Sequence, residues 1–182
     1  MKNLITDTDE EDRRLKALAE YRILGTEPES CYDDITQIAA RTCQVPISLM
    51  TLVDKDRQWF KSKVGFHANE TRRDWSFCTH AIKENNPLVV NDACLDERFV
   101  DNPLVTGNPK IRFYAGFPLK TNDGNKLGTL CVIDRKPGKL DSEQCSIMEL
   151  LAKQIVSFLE LRKRSLNLLD ALSHLHHQEG IL

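Results

Sequence analysis

Residues 111–134 read IRFYAGFPLKTNDGNKLGTLCVID, and this stretch decides the fold. Two runs rich in apolar, aromatic and β-branched residues, Arg112–Leu119 and Leu127–Asp134, flank Thr121-Asn122-Asp123-Gly124-Asn125. Asp-Gly between such runs is a hairpin signal, because the turn needs a positive φ that glycine adopts without steric cost. Strict alternation predicts Leu127, Thr129, Cys131 and Ile133 on one face of the second strand, with Gly128, Leu130, Val132 and Asp134 on the other. Neither face is cleanly polar, so the pair is expected mid-sheet with material packed on both sides. Gly116 and Gly128 mark either a close approach by a ligand or another backbone, or simple easing of the sheet.

Outward from the hairpin, the spacing predicts hairpins separated by helices. A first helix is expected to start at Thr8, with Glu11 closing a capping box, to carry Leu15, Leu18 and Leu24, and to stop at Gly25. A second, Ser30–Cys43, presents Cys31, Ile35, Ile38, Ala39 and Thr42, and Pro46 ends it. Ile47–Val53 reads as a strand apolar on both faces. Arg57–Val64 returns, with Lys61 and Lys63 placing one side in water. Asp74 is expected to cap a short helix, Trp75–Ile82, before a strand at Leu88–Val90. The segment from Ala93 to Lys110 is irregular, and a connection of that length is usually functional or mobile. Asp141 can cap a last helix from Ser142 to about His177. Its first half carries Ile147, Met148, Leu151, Ile155, Phe158 and Leu159, an arc that suits a helix lying on a sheet. Phe158, Leu161, Ser165, Leu168, Leu172 and Leu175 then follow at spacings of three and four, the seam of a coiled coil, with Arg162, Lys163 and Arg164 outside it. The order argues for an α+β fold with an antiparallel sheet.

At 182 residues the chain favours one domain with appendages. The net charge is −2 and no basic block occurs, which argues against nucleic acid as a partner. No apolar run is long enough to span a bilayer, and the acidic start does not resemble a signal peptide. No membrane association is expected, and a cytoplasmic location is. Six cysteines are scattered without a C-x-x-C pair, as expected of reduced thiols that serve mainly as small core residues.

Several groupings could carry chemistry. Cys78 and His80 could act as nucleophile or ligands, yet two residues apart on a helix they point away from each other, and packing is the plainer reading. Asp92, Asp96, Glu97, Arg98, Asp101 and Arg112 surround the irregular segment, as acid–base groups or as turn caps. Trp59, Phe77, Phe113, Tyr114 and Phe117 could line a cavity for a planar ligand or simply fill the core. His174, His176 and His177 sit on the far helix tail, where solvation is the default. No nucleotide-binding, hydrolase or zinc-protease motif is present, and nothing assembles a catalytic constellation or a metal site.

The residues also resemble a known family. Tyr21-Arg22-Ile23-Leu24, Asp33-Asp34-Ile35-Thr36, Asp56-Arg57-Gln58-Trp59-Phe60, Ser76-Phe77-Cys78 with His80-Ala81-Ile82, Asp96-x-Arg98-Phe99 before Asn102-Pro103, Ile111-Arg112-Phe113-Tyr114-Ala115-Gly116 and Leu127-Gly128-Thr129-Leu130-Cys131-Val132-Ile133-Asp134 together resemble a GAF domain. The likeness is to those at the N-terminus of bacterial sensor histidine kinases and diguanylate cyclases. It implies a six-stranded antiparallel sheet flanked by helices, with a long C-terminal helix and a pocket covered by the irregular segment. It implies a regulatory, small-molecule-sensing module of two-component or cyclic di-GMP signalling, often a homodimer.

The division that follows is an N-terminal helix at 1–26, a sensory domain at 27–160 and a coiled-coil signalling helix at 161–182. The expected ligand site is Phe77, Cys78, His80, Asp92, Arg112, Tyr114 and Cys131. No cofactor is expected, and the small-molecule ligand is unnamed. The chain lacks the Asn-Lys-x-Asp-Glu signature of cyclic-nucleotide-binding members. Thr79 separates Cys78 from His80 where bilin-binding members have an adjacent pair. His174 lacks a phosphoacceptor context, so a histidine kinase or diguanylate cyclase output is expected elsewhere in a longer protein or on a separate chain. The alternatives are a thiol-dependent free methionine sulfoxide reductase and a pure dimerisation module.

Overall fold

The structure is a computed structural model that describes residues 7–179. Six antiparallel strands form one sheet in the order β3-β2-β1-β6-β5-β4, where β1 is Ile47–Val53, β2 Arg57–Val64, β3 Glu70–Arg72, β4 Leu88–Val90, β5 Phe113–Lys120 and β6 Lys126–Asp134. The helices are α1 (Asp7–Glu20), α2 (Ser30–Cys43), α3 (Phe77–Ala81), α4 (Pro103–Thr106) and α5 (Ser142–Glu179), with a 3₁₀ turn at Arg73–Trp75. The expected α+β architecture with a long last helix is present.

The hairpin is β5–β6, and Gly124 takes a φ of +83° in its turn. It sits mid-sheet with both faces covered. One face packs against α1, α2 and α5 through Met50, Leu52, Phe113, Ala115, Phe117, Leu130 and Val132, closed by Met148, Ala152, Ile155 and Leu159 of α5. The other face carries Leu49, Val53, Tyr114, Cys131 and Ile133 under α3, α4 and the 91–112 segment. Aromatic side chains therefore divide: Trp59, Phe113 and Phe117 belong to the helical face, away from the expected cavity, while Phe77 and Tyr114 face the loop side.

Two irregularities in the ladder overturn simple alternation. The register shifts between Pro118 and Lys120, and Leu127 moves to the helical core although Cys131 and Ile133 stay on the loop side. A second shift, opposite Met50 and Thr51, makes Lys61 the extra residue of β2. Lys61 does not face water: it is 4% exposed, and its ammonium donates to Thr26 Oγ1 at 2.8 Å, the Glu27 carbonyl and Glu29 Oε1 at 2.8 Å. Ser62 turns to the same helix, donating to Asp33 and contacting Thr36. A buried ammonium is tolerated here because all three of its protons have acceptors.

Other boundaries differ for local reasons. Thr8 lies inside α1 and does not cap it; Glu11 instead binds Arg14 and Arg73. That helix stops at Glu20, before Leu24, and Tyr21 and Ile23 are buried beyond its end. The buried face of α2 is Tyr32, Ile35, Thr36, Ala39, Ala40 and Cys43, whereas Ile38 is exposed; a left-handed Gln44 ends the helix before Pro46. Ser76, not Asp74, caps α3. Asp141 does start α5, exchanging hydrogen bonds with Gln144 as a capping box does.

The base of α5 is clasped to the segment after α1. Tyr21 donates to Glu160 at 2.6 Å, and Arg162 donates to the carbonyls of Tyr21 and Arg22 at 2.9 and 2.8 Å. Lys163 pairs with Glu20 and Arg22 with Asp170. Two of the basic residues expected outside the seam, Arg162 and Lys163, thus hold α5 to the N-terminal segment. Beyond them Leu161, Leu168, Leu172 and Leu175 are 62, 62, 45 and 57% exposed. No helix among the described residues is long and apolar enough to cross a membrane.

Candidate functional site

The site lies on the loop side of the sheet, where Tyr114 of β5 and Cys131 of β6 meet α3. Hydrogen bonds fix the position of α3. Ser76 Oγ accepts from the Thr79 amide at 3.1 Å and donates to Gln58 Oε1 at 2.7 Å, and Gln58 donates to Thr71 Oγ1 at 2.6 Å. A cap and a cross-strand amide thereby tie the helix start to β2 and β3.

The irregular segment is a packed cover. Phe99 is buried and stacks on Phe77 with ring centroids 3.9 Å apart; Phe77 lies 5.0 Å from Tyr114. Asn102 accepts from the Leu104 amide and donates to the Trp75 carbonyl at 2.9 Å, which caps α4 and binds it to the 3₁₀ turn. Backbone bonds from Ile111 to Leu104 and from Ala93 to Arg112 close the cover on the sheet.

Between cover and sheet remains a cavity of about 20 Å³, lined by Phe60, Phe66, Phe77, Cys78, Leu104, Tyr114 and Cys131 among others. That is room for roughly one water. Four of the seven expected site residues, Phe77, Cys78, Tyr114 and Cys131, line it together. His80 does not: it is exposed overall, its ring against Phe99 at 4.9 Å, and partial desolvation of that ring together with the charges of Arg98 and Lys83 holds its pKa below the usual value. Arg112 donates to the carbonyls of Val105 and Ile111, and Asp92 accepts from the Cys94 amide; both brace the cover. Asp96 binds Arg98 through both of its carboxylate oxygens. His174 and His176 are exposed, and the side chain of His177 lies outside the described residues. No group of three metal-ligating side chains exists among the described residues.

Both strand glycines of the hairpin, Gly116 and Gly128, answer to packing. A Cβ at Gly128 would meet the Thr51 carbonyl oxygen at 1.9 Å, and one at Gly116 would meet the Tyr114 hydroxyl at 2.1 Å. The close approach is by neighbouring backbone in one case and by the Tyr114 side chain in the other.

Polar atoms gather in this otherwise apolar wall. Tyr114 donates to Cys78 Sγ at 3.3 Å and Thr129 does so at 3.2 Å, while Thr129 Oγ1 and Thr51 Oγ1 are 3.2 Å apart. Sequence reading missed Thr51, Thr129, Gln58 and Phe99. Two threonines set opposite each other in strands otherwise apolar were the available signal. A cleft of about 590 Å³, with Arg57, Arg72, Trp75 and Arg135 on its walls, opens outside the cavity and shares Phe66, Thr71 and Leu104 with it.

A six-stranded antiparallel sheet with helices on one face and a loop-covered hollow on the other is the architecture of small sensory domains. The sequence model of the GAF domain matches residues 27–158, and the chain belongs to that family. It is 37% identical over 171 residues to a cyclic di-GMP phosphodiesterase from Pseudomonas aeruginosa, an alignment that covers 93% of this chain and 29% of that protein. The chain thus spans less than a third of that relative. Among solved structures it resembles the GAF domain of an Acinetobacter phosphoenolpyruvate-protein phosphotransferase, with a TM-score of 0.59 at 14% identity over 86% of this chain and 95% of that one. It also resembles a free methionine-R-sulfoxide reductase from Neisseria meningitidis, with a TM-score of 0.61 at 14% identity over 88% and 96%. At such identities these structures speak for the fold alone. The GAF assignment and the phosphodiesterase relative mark the chain as a signalling module.

Proposed function

We propose that the chain is a non-catalytic regulatory module of cyclic di-GMP signalling that pairs with a second copy through α5 and controls an enzyme of cyclic di-GMP turnover. One observation carries this reading: a single helix closes the core with its first half and bares a leucine seam, Leu161, Leu168, Leu172 and Leu175, with its second. Exposed leucines at heptad spacing are stabilised by a facing helix. The 1–26, 27–160 and 161–182 division is the working organisation, with the Tyr21–Glu160 and Arg162 clasp joining its parts. The diguanylate cyclase or phosphodiesterase class of output is favoured over a histidine kinase by the phosphodiesterase relative.

In this reading the hollow beneath the 91–112 cover is the sensory site, with Phe77, Cys78, Tyr114 and Cys131 on its wall, Asp92 and Arg112 on its cover and His80 against the cover's Phe99. Occupancy changes the output only if the ligand's affinity differs between two arrangements of the helices. A cavity of about 20 Å³ argues against methionine sulfoxide as a substrate, and the exposed Cys94 stands apart from the buried cysteines.

Light scattering on the chain and on Leu168→Glu/Leu172→Glu tests the pairing. A dimer that the double substitution converts to a monomer is expected; a monomeric parent chain at tens of micromolar overturns it.

A further inference from the structure

The cavity wall brings two thiols together. Cys78 comes from α3 and Cys131 from β6, both buried and both on the wall of the same cavity of about 20 Å³. A cysteine serving only as a small apolar filler needs no donors, yet Tyr114 and Thr129 both donate to Cys78 Sγ. Burial pushes the Cys78 thiol up, but the polar hydrogens around it, those of Thr129 and Tyr114 among them, outweigh it and hold the group below the usual thiol value. Burial and the neighbouring Cys78 push Cys131 well above it. The pair is unequal: the hydroxyl donors of Tyr114 and Thr129 both point at Cys78.

The pair lies close behind an open cleft. The inner cavity and the outer cleft share Phe66, Thr71 and Leu104, so these side chains partition one from the other. Phe66 is only half-buried, and side chains of that kind change rotamer rapidly. The inner space, about 20 Å³, favours the smallest of molecules.

We propose that Cys78 and Cys131 form an oxidative modification site for hydrogen peroxide, reached past Phe66 and Leu104. The proposal rests on reading the hollow as the sensory site and names its ligand class. The Cys78 thiolate attacks one peroxide oxygen; the S–O bond forms, the O–O bond breaks, and hydroxide leaves and takes up a proton as water. The sulfur loses two electrons and becomes a sulfenic acid. Cys131 then attacks that sulfur; the S–S bond forms, the S–O bond breaks, and the hydroxyl departs with the Cys131 proton as a second water. Two thiols and one peroxide become one disulfide and two waters, and the new bond staples α3 to β6.

The test uses the full chain carrying Cys94→Ser, treated with hydrogen peroxide, quenched with catalase, alkylated under denaturing conditions and mapped by peptide mass spectrometry. A reducible Cys78–Cys131 cross-linked peptide is expected. In Cys131→Ser the cross-link gives way to a Cys78 sulfenic acid captured by dimedone on unfolding. Phe66→Ala leaves the pair intact and raises the rate several-fold with the same product. Recovery of both thiols reduced in Phe66→Ala, under conditions that oxidise the unfolded chain, overturns the proposal, as does over-oxidation of Cys78 without a cross-link. A thermal-shift screen of Cys78→Ser against small ligands separates the two readings: a shift there keeps the hollow as a sensory site while the peroxide pair falls.

Discussion

The two faces of the sheet are built to different rules. On the helical side large apolar side chains from β1, β5 and β6 meet a continuous arc of α5, and polar groups sit at the margin as ion pairs and a tethered lysine. On the loop side the cover is a four-residue helix and turns, and the wall holds hydroxyls and thiols in its interior. Dry, regular packing yields cooperative stability. Short elements held by a few side-chain hydrogen bonds open at lower free energy. The contrast assigns stability to one face and responsiveness to the other.

The comparison breaks first at Gly128, where both faces depend on one backbone contact. Gly128→Ala forces β6 off the Thr51 carbonyl and is expected to cost more than about 3 kcal/mol, read as loss of the folded fraction in urea melts. Ile155→Ala, under the helical face, should cost about 3 kcal/mol and lower amide-exchange protection everywhere, since that core unfolds as a unit. Phe99→Leu should cost about 1–2 kcal/mol and speed exchange over residues 93–110 while α5 keeps its protection. Uniform loss of protection there would erase the distinction between faces. Tyr114→Phe keeps the ring and removes one donor to Cys78, at about 1 kcal/mol. Losing that donor destabilises the thiolate, so the Cys78 titration midpoint, followed by thiolate absorbance, moves up.

A pH-dependent effect lies at the edge of the two faces. Burial raises the Glu11 pKa, but hydrogen bonds and charge from Arg14 and Arg73 hold it at about 2 against an ordinary 4.5. A folded pKa below the unfolded one gives stability that is present above the unfolded value and lost as pH falls through the folded one. Acid melts of the parent chain should therefore weaken between about 4.5 and about 2 in a component that Glu11→Gln lacks.

The hairpin was legible because Asp123-Gly124 needs a positive φ and its flanks alternate almost throughout; α5 was legible because its period runs for many turns without interruption. Lys61 was not, since a bulge puts a charged residue inward with no mark in the local pattern. Strand β3, Glu70-Thr71-Arg72, is a polar three-residue edge whose pairing with β2 is its only definition. Of the site, the residues on β5, β6 and α3 converged because regular elements fix their directions. His80, although on α3, is exposed with its ring against Phe99, and Asp92 and Arg112 fell on the cover, whose path is set by Phe99 and Asn102. The volume of the hollow depends on how three aromatic rings stack, and no residue pattern encodes that.

Neither proline nor glycine interrupts Ser142–Glu179. Backbone hydrogen bonds make such a rod stiff in torsion, so a twist imposed at Met148 arrives at Leu175 with little loss. One residue inserted after Arg164 would swing everything beyond it by about 100°, so the angular phase between buried and bared halves is written into the length of the rod itself.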